Sequence, residues 1–196
     1  MPELLQCPAY AGLLPSAEDA SAGVLVAEES LALATMLARK GSLPALTERV
    51  RATYALDLPD GPRIAGGAEL SFLGTAPGAW LAMSRQQQDL EARLTHDVGD
   101  LAAIADQSGG YAILRLSGPR VRDTLAKGFS VDLHPTAFGP GAAAVTSAAH
   151  IGAILWRMPG TDAPLPTFHV AVFRSYAGSF WHWLSISVAE YGIAAG

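Results

Sequence analysis

A chain of 196 residues, half of them hydrophobic and only 16% charged, is long enough for one sizeable core and holds fewer charges than the roughly 25% of an average soluble domain. Its formal net charge of -5 argues against general nucleic-acid binding, which needs a concentrated basic face. No run approaches the ~20 continuous apolar residues of a membrane-crossing helix, so the apolar excess belongs to a large core or to surface that meets a partner.

The start, Met1-Pro2-Glu3-Leu4-Leu5-Gln6, lacks the basic and apolar regions of a secretory signal. Cys7 is the only cysteine, so no intramolecular disulfide can form and a cytoplasmic protein is expected. Residues 1–22, rich in Pro, Ala, Ser and Glu and without a sustained period, predict an extended arm. Residues 23–196 are expected to form one α+β unit, divisible into lobes at 23–100 and 101–196.

Val24-Leu25-Val26-Ala27 reads as a strand, and Leu31 to Ala38 as another. Ser42 ahead of Pro44 predicts a capped helix start, with Leu46, Val50 and Tyr54 at helical spacing. The helix should end before Leu58-Pro59-Asp60-Gly61-Pro62. Ala68–Leu73 and Ala79–Met83 predict a hairpin joined by Gly74-Thr75-Ala76-Pro77-Gly78. Ser84 is expected to cap a polar helix running through Gln88, Leu90 and Leu94 to Gly99.

Further along, Ala112–Leu116 alternates as a strand, Ser117-Gly118-Pro119 turns it, and Val121–Lys127 predicts a short helix stopped by Gly128. Strands are expected at Ala142–Ser147, Ile151–Met158 and Phe168–Phe173, with Pro159, Gly160, Pro164 and Pro166 marking the last connection. A closing helix spans about Ser175 to Tyr191, with Phe180, Trp183, Leu184 and Val188 on one face. The pattern predicts an α+β fold of mixed or antiparallel sheets with helices on one face.

Chemistry-bearing residues are scattered. His96, His134, His150, His169 and His182 do not cluster at ligand spacing. His182, between Trp181 and Trp183, reads as a hydrogen-bonded histidine at a packed interface, and His134-Pro135 as a loop element. Cys7 has no visible partner to lower its thiol pKa. Gly118 and Gly128 do not complete a phosphate-binding pattern. The basic residues Arg115, Arg120, Arg122 and Lys127 suit a solvated or subunit-facing surface. Trp80, Trp156, Trp181 and Trp183 fit either the core or the anchors of an interface. Asp106-Gln107-Ser108-Gly109-Gly110-Tyr111 has two readings: a bulged strand edge held by side-chain-to-backbone bonds, or a loop facing a small molecule or another subunit.

Asp106 through Gly128 closely resembles the sarcosine oxidase gamma-subunit family, as do Val131-Asp132-Leu133-His134-Pro135, Phe138-Gly139-Pro140-Gly141, Thr146 to Ile151 and Phe173 to Leu184. The resemblance spans about residues 24 to 192 and is looser in the N-terminal half. It implies a fold of ferredoxin-like modules, as in the folate-binding domain of glycine-cleavage T-proteins and their YgfZ-like relatives. It further implies a non-catalytic assembly subunit of a heterotetramer that oxidises sarcosine to glycine with oxygen. In such a complex the alpha subunit carries NAD and the tetrahydrofolate site, the beta subunit FAD and FMN, and the delta subunit zinc. The resemblance places no catalytic, cofactor-binding or metal-ligating residue on this chain. A gamma-like subunit of N-methylglutamate dehydrogenase, or a free-standing folate-binding protein, would present a similar sequence.

Overall fold

The computed structural model describes residues 7–16, 19, 21–86, 89–159 and 165–196. Met1 to Gln6, Ala17, Glu18 and Ala20 of the expected arm, Gln87 and Gln88 of the expected polar helix, and Gly160 and Pro164 of the last connection lie outside the described residues.

The strands form two sheets. In chain order they are β1 (Val24–Glu29), β2 (Ala32–Ala38), β3 (Ile64–Gly66), β4 (Ser71–Ala76), β5 (Ala79–Ser84), β6 (Ala102–Asp106), β7 (Tyr111–Ser117), β8 (Ala143–Ala148), β9 (Ile151–Trp156), β10 (Thr167–Phe173) and β11 (Ile193–Ala195). The helices are α1 (Leu43–Tyr54), α2 (Leu90–Val98), α3 (Val121–Ala126) and α4 (Ala177–Val188), the last preceded by a 3-10 turn, Arg174–Tyr176. One six-stranded sheet has the order β11-β1-β7-β10-β9-β8 and one five-stranded sheet the order β3-β4-β5-β2-β6. All pairings between these strands are antiparallel except β1 with β11.

The sheets pack face to face, and each carries helices on its outer face. Leu46 and Val50 of α1 and Leu90, Leu94 and Val98 of α2 pack on Met36, Phe72 and Trp80 of the five-stranded sheet. Val121 and Leu125 of α3 and Phe180, Leu184 and Val188 of α4 pack on Val26, Leu114 and Val170 of the six-stranded sheet. Between the sheets, Leu33, Leu81 and Met83 meet Ile113, Ile154 and Trp156. Because successive strand side chains point to opposite faces, a strand buried on both sides must be apolar at nearly every position. This accounts for β5, whose six residues are all buried, and for the low fraction of charged residues. The α+β class, with helices on one face of each sheet, agrees with the sequence.

Several expectations change. Ser84 does not cap a helix: pairing of Ala32 with Ser84 carries β5 through this residue, its side chain is buried, and α2 begins at Leu90. Ser42 precedes α1 but makes no side-chain cap bond, since its φ of -92° and ψ of -3° are already helical rather than extended as capping geometry prefers. The hairpin strand starts at Ser71 rather than Ala68 and continues to Ala76, leaving Pro77-Gly78 as its turn. Tyr191 lies beyond the closing helix, which ends at Val188 so that the chain can turn through Gly192 and add β11 beside β1. The short strands β3, β6 and β11 are unannounced in sequence, having at most five residues each and few β-branched ones.

Within the segment expected as an arm, Tyr10 is 1% exposed and joins the core under the six-stranded sheet. The Glu28 carboxylate accepts the backbone N–H groups of Ala9 and Tyr10 at 2.6 and 3.3 Å, and Arg174 donates to the Cys7 carbonyl.

Candidate functional site

The chain passes from one sheet to the other between β1 and β2, across Ser30 and Leu31, which places Glu29 at the seam. The Glu29 side chain is only 6% exposed. Its Oε1 lies 2.5 Å from Nη2 of Arg85, just past β5, and 3.5 Å from Nε of Arg115 on β7. Its Oε2 lies 3.5 Å from Nε2 of His169 on β10. Burial by itself would raise the Glu29 pKa, but contact with His169 and Arg85 outweighs it and holds the carboxyl below its usual value. The Trp156 ring stacks on His169 at 5.2 Å and 15°. The other His169 nitrogen, Nδ1, is buried without a hydrogen-bond partner.

Above this cluster opens a cleft of about 420 Å³ between the sheets, within the size range of small-molecule sites. Leu31, Met83, Met158 and Pro159 give it an apolar wall, and Glu29, Arg85, Arg115 and His169 a polar one. A carboxylate held ionised by cations is a weak proton acceptor, so this geometry suits ion pairing rather than acid–base exchange. A second cleft, about 200 Å³, lies toward the far end of β10 and is lined by Leu81, Tyr111, Val145, Ala171 and Phe173. There the Tyr111 and Phe173 rings stack at 5.0 Å, while Val145 and Phe173 are 53% and 50% exposed.

The structure disperses most residues singled out by sequence. His96, His134, His150 and His182 are exposed and only His169 is buried. His134 Nδ1 pairs with Thr136 Oγ1 at 2.8 Å, and His182 presents its ring to the surface of α4 rather than to a packed contact within the chain. Among the described residues no group of three His, Cys, Asp or Glu side chains is placed to hold a metal ion. Cys7 is an exposed free thiol. Trp80 and Trp156 are core residues, Trp80 donating to the Pro59 carbonyl at 2.9 Å, whereas Trp181 and Trp183 are half-buried against the core.

The basic stretch forms no patch. Arg115 faces Glu29 and the Gly196 carbonyl, Arg120 pairs with Asp123 at 3.0 Å, Arg122 donates to the Leu133 carbonyl, and Lys127 pairs with Glu190. Gly118 permits close approach of backbones, a Cβ there meeting the Gly23 carbonyl at 2.5 Å.

The Asp106–Tyr111 segment is the link from β6 to β7 and thus a second crossing between sheets. Asp106 Oδ1 accepts the Ser108 N–H at 3.0 Å and its hydroxyl at 2.7 Å, and Ser108 Oγ accepts the Leu33 N–H at 3.0 Å. These contacts hold the Asp106 carboxyl below its usual pKa, the Ser108 side-chain bond contributing most. The loop is therefore tied by side-chain-to-backbone bonds. The Glu29 cluster was not legible beforehand. Its one signal was His169, a polar residue alternating with Phe168, Val170 and Val172 inside an apolar strand.

Residues 39–190 match the family described as sarcosine oxidase, gamma subunit family. The sarcosine oxidase subunit gamma of Corynebacterium sp. (strain P-1) is 32% identical over 130 residues, covering 65% of this chain and 62% of that protein. The subunit gamma of Arthrobacter sp. is 35% identical over 96 residues, covering 48% and 47% respectively. The chain thus spans less than two thirds of the length of the curated relatives it matches. Its fold is similar to a chain of the heterotetrameric sarcosine oxidase from Corynebacterium sp. U-96 in complex with pyrrole 2-carboxylate, with a TM-score of 0.79 and 22% identity over 98% of this chain and 100% of that one. It is also similar to part of the glycine cleavage system aminomethyltransferase T from Bartonella henselae, with a TM-score of 0.59 and 16% identity over 84% of this chain and 46% of that one.

Proposed function

We propose, from the premise that this chain belongs to the sarcosine oxidase gamma subunit family, that it serves as the gamma-type subunit of a heterotetrameric sarcosine oxidase in the cytoplasm. Its role in this reading is assembly rather than catalysis, contributing shape and contact area beside alpha, beta and delta subunits. The complex oxidises the N-methyl amine of sarcosine with oxygen, yielding glycine, hydrogen peroxide and formaldehyde or methylenetetrahydrofolate. NAD, FAD, FMN, zinc and tetrahydrofolate belong to the other subunits. Residues 23–196 act as one α+β unit, to which Tyr10 ties the preceding segment.

The observation that carries this reading is the family match through residues 39–190, which includes all four helices and eight of the eleven strands described. The exposed apolar side chains of Val145, Phe173, Tyr176 and Ile186 supply surface of the kind that subunit interfaces cover. The test is co-expression of the other three subunits with and without this chain. Loss of flavin loading and sarcosine turnover in its absence, restored by adding it back, is the expected result. Full loading and turnover by the other three alone would overturn the reading.

A further inference from the structure

We propose that the larger cleft between the sheets is a binding site for a small organic monoanion with an apolar body. The acid group sits against Arg85 and Arg115, and the body against Leu31, Met83 and Met158. The first support is charge. One carboxylate, Glu29, faces two guanidinium groups, so one positive charge is left over in the polar wall. A guanidinium carries five N–H donors; Glu29 engages Nη2 of Arg85 and faces Nε of Arg115, and Arg115 Nη2 also donates to the Gly196 carbonyl, which leaves further donors on both side chains. Half of the Arg85 side chain and 35% of that of Arg115 remain exposed. An incoming acid can therefore reach them while Glu29 keeps its contacts. A single surplus charge also sets the ligand's charge, since a dianion would meet the nearby Glu29 carboxylate uncompensated.

The second support is shape and surface. About 420 Å³ accommodates a molecule larger than a bare inorganic ion, and the wall facing the arginines is apolar. Apolar burial beside a charged anchor selects an amphipathic ligand over a fully polar one. His169 adds a third observation. Its side chain is 6% exposed and lines the same cleft, yet Nδ1 has no hydrogen-bond partner. Nδ1 is shielded from the cleft, so this histidine, stacked on Trp156 and set against Glu29, serves as a fixed part of the polar wall.

This inference goes beyond the assembly role and does not depend on it, because it concerns the full chain by itself. The experiment titrates the purified full-length chain at low ionic strength with benzoate by calorimetry, and with 1-anilinonaphthalene-8-sulfonate by fluorescence. Benzylamine serves as the cationic counterpart. The expected result is one saturable site per chain from which benzoate, but not benzylamine, displaces the dye. Ala68→Glu, at an exposed rim position of the cleft, and Arg85→Met should each weaken benzoate at least ~10-fold. Phe173→Ser, in the other cleft, should leave it unchanged. Ala68→Glu also guards against a trivial loss of fold, as an exposed site should melt like the parent chain. No saturable benzoate binding by ~10 mM, equal displacement by benzylamine, or a loss in Phe173→Ser but not in Ala68→Glu would each overturn the proposal.

Discussion

Arg85 Nη2 and Glu29 Oε1 stand 2.5 Å apart although 56 residues separate them in the chain. The pair joins the end of β1 in one sheet to the end of β5 in the other. Arg115 and His169 complete the ring around a carboxylate that is almost fully enclosed. A buried ion pair gives little net stability over an apolar replacement, but removing one partner leaves the others desolvated and unmatched.

Glu29→Gln is therefore expected to destabilise the chain by about 3 kcal/mol at neutral pH, read by urea denaturation. The folded-state pKa of Glu29 lies below its unfolded value. Its contribution is then present above the unfolded pKa and lost as pH falls through the folded one. The gap between the parent chain and the variant should close as the solution is acidified below about pH 5.

Tyr10 separates packing from hydrogen bonding. Its ring is 1% exposed, while its hydroxyl is buried without a partner. Tyr10→Phe removes an unmatched polar atom and should be neutral or stabilising by up to about 1 kcal/mol. Tyr10→Ala empties the ring site and should cost about 3 to 5 kcal/mol. Urea denaturation of both variants distinguishes this from a loosely attached N-terminal segment, for which neither change would register.

Gly128 lies against the Trp183 ring: a Cβ there would stand 2.4 Å from Cζ2 and 2.7 Å from Cε2. Gly128→Ala should push the indole off the core and destabilise by about 1 to 3 kcal/mol. A shift of the tryptophan emission in the folded state should accompany the loss.

Ser108→Ala removes the acceptor for the Leu33 N–H, 75 residues away, and the donor to Asp106. Leu33 is 1% exposed, so its amide is left unmatched in a buried position at a cost of about 1 to 3 kcal/mol. Hydrogen exchange at the Leu33 amide should accelerate, whereas exchange in β9 and β10 should follow only the global change in stability.

The sequence by itself determined the α+β class and most of the elements. Alternating runs such as Phe168, Val170 and Val172, and helical spacings such as Leu46 and Val50, are set by the periods of strand and helix and need no knowledge of neighbours. The family resemblance through Asp106–Gly128 was equally legible, because it lies in contiguous residues. Misreadings fell where pairing overrides local preference. Ser84 has the chemistry of a cap, yet its pairing with Ala32 keeps it in a strand, and β11 exists only because β1 offers it an edge.

What only the tertiary structure decided is which face each strand turns to which sheet, and hence the cleft. Glu29, Arg85, Arg115 and His169 lie on four separate segments, and no spacing in the chain announces their meeting. They converge because β1, β7 and β10 are neighbours in one sheet, while the crossing after Glu29 brings the end of β5 over them. Charge attracts over short distances only after packing has brought the groups together, and that packing is a property of the two assembled sheets.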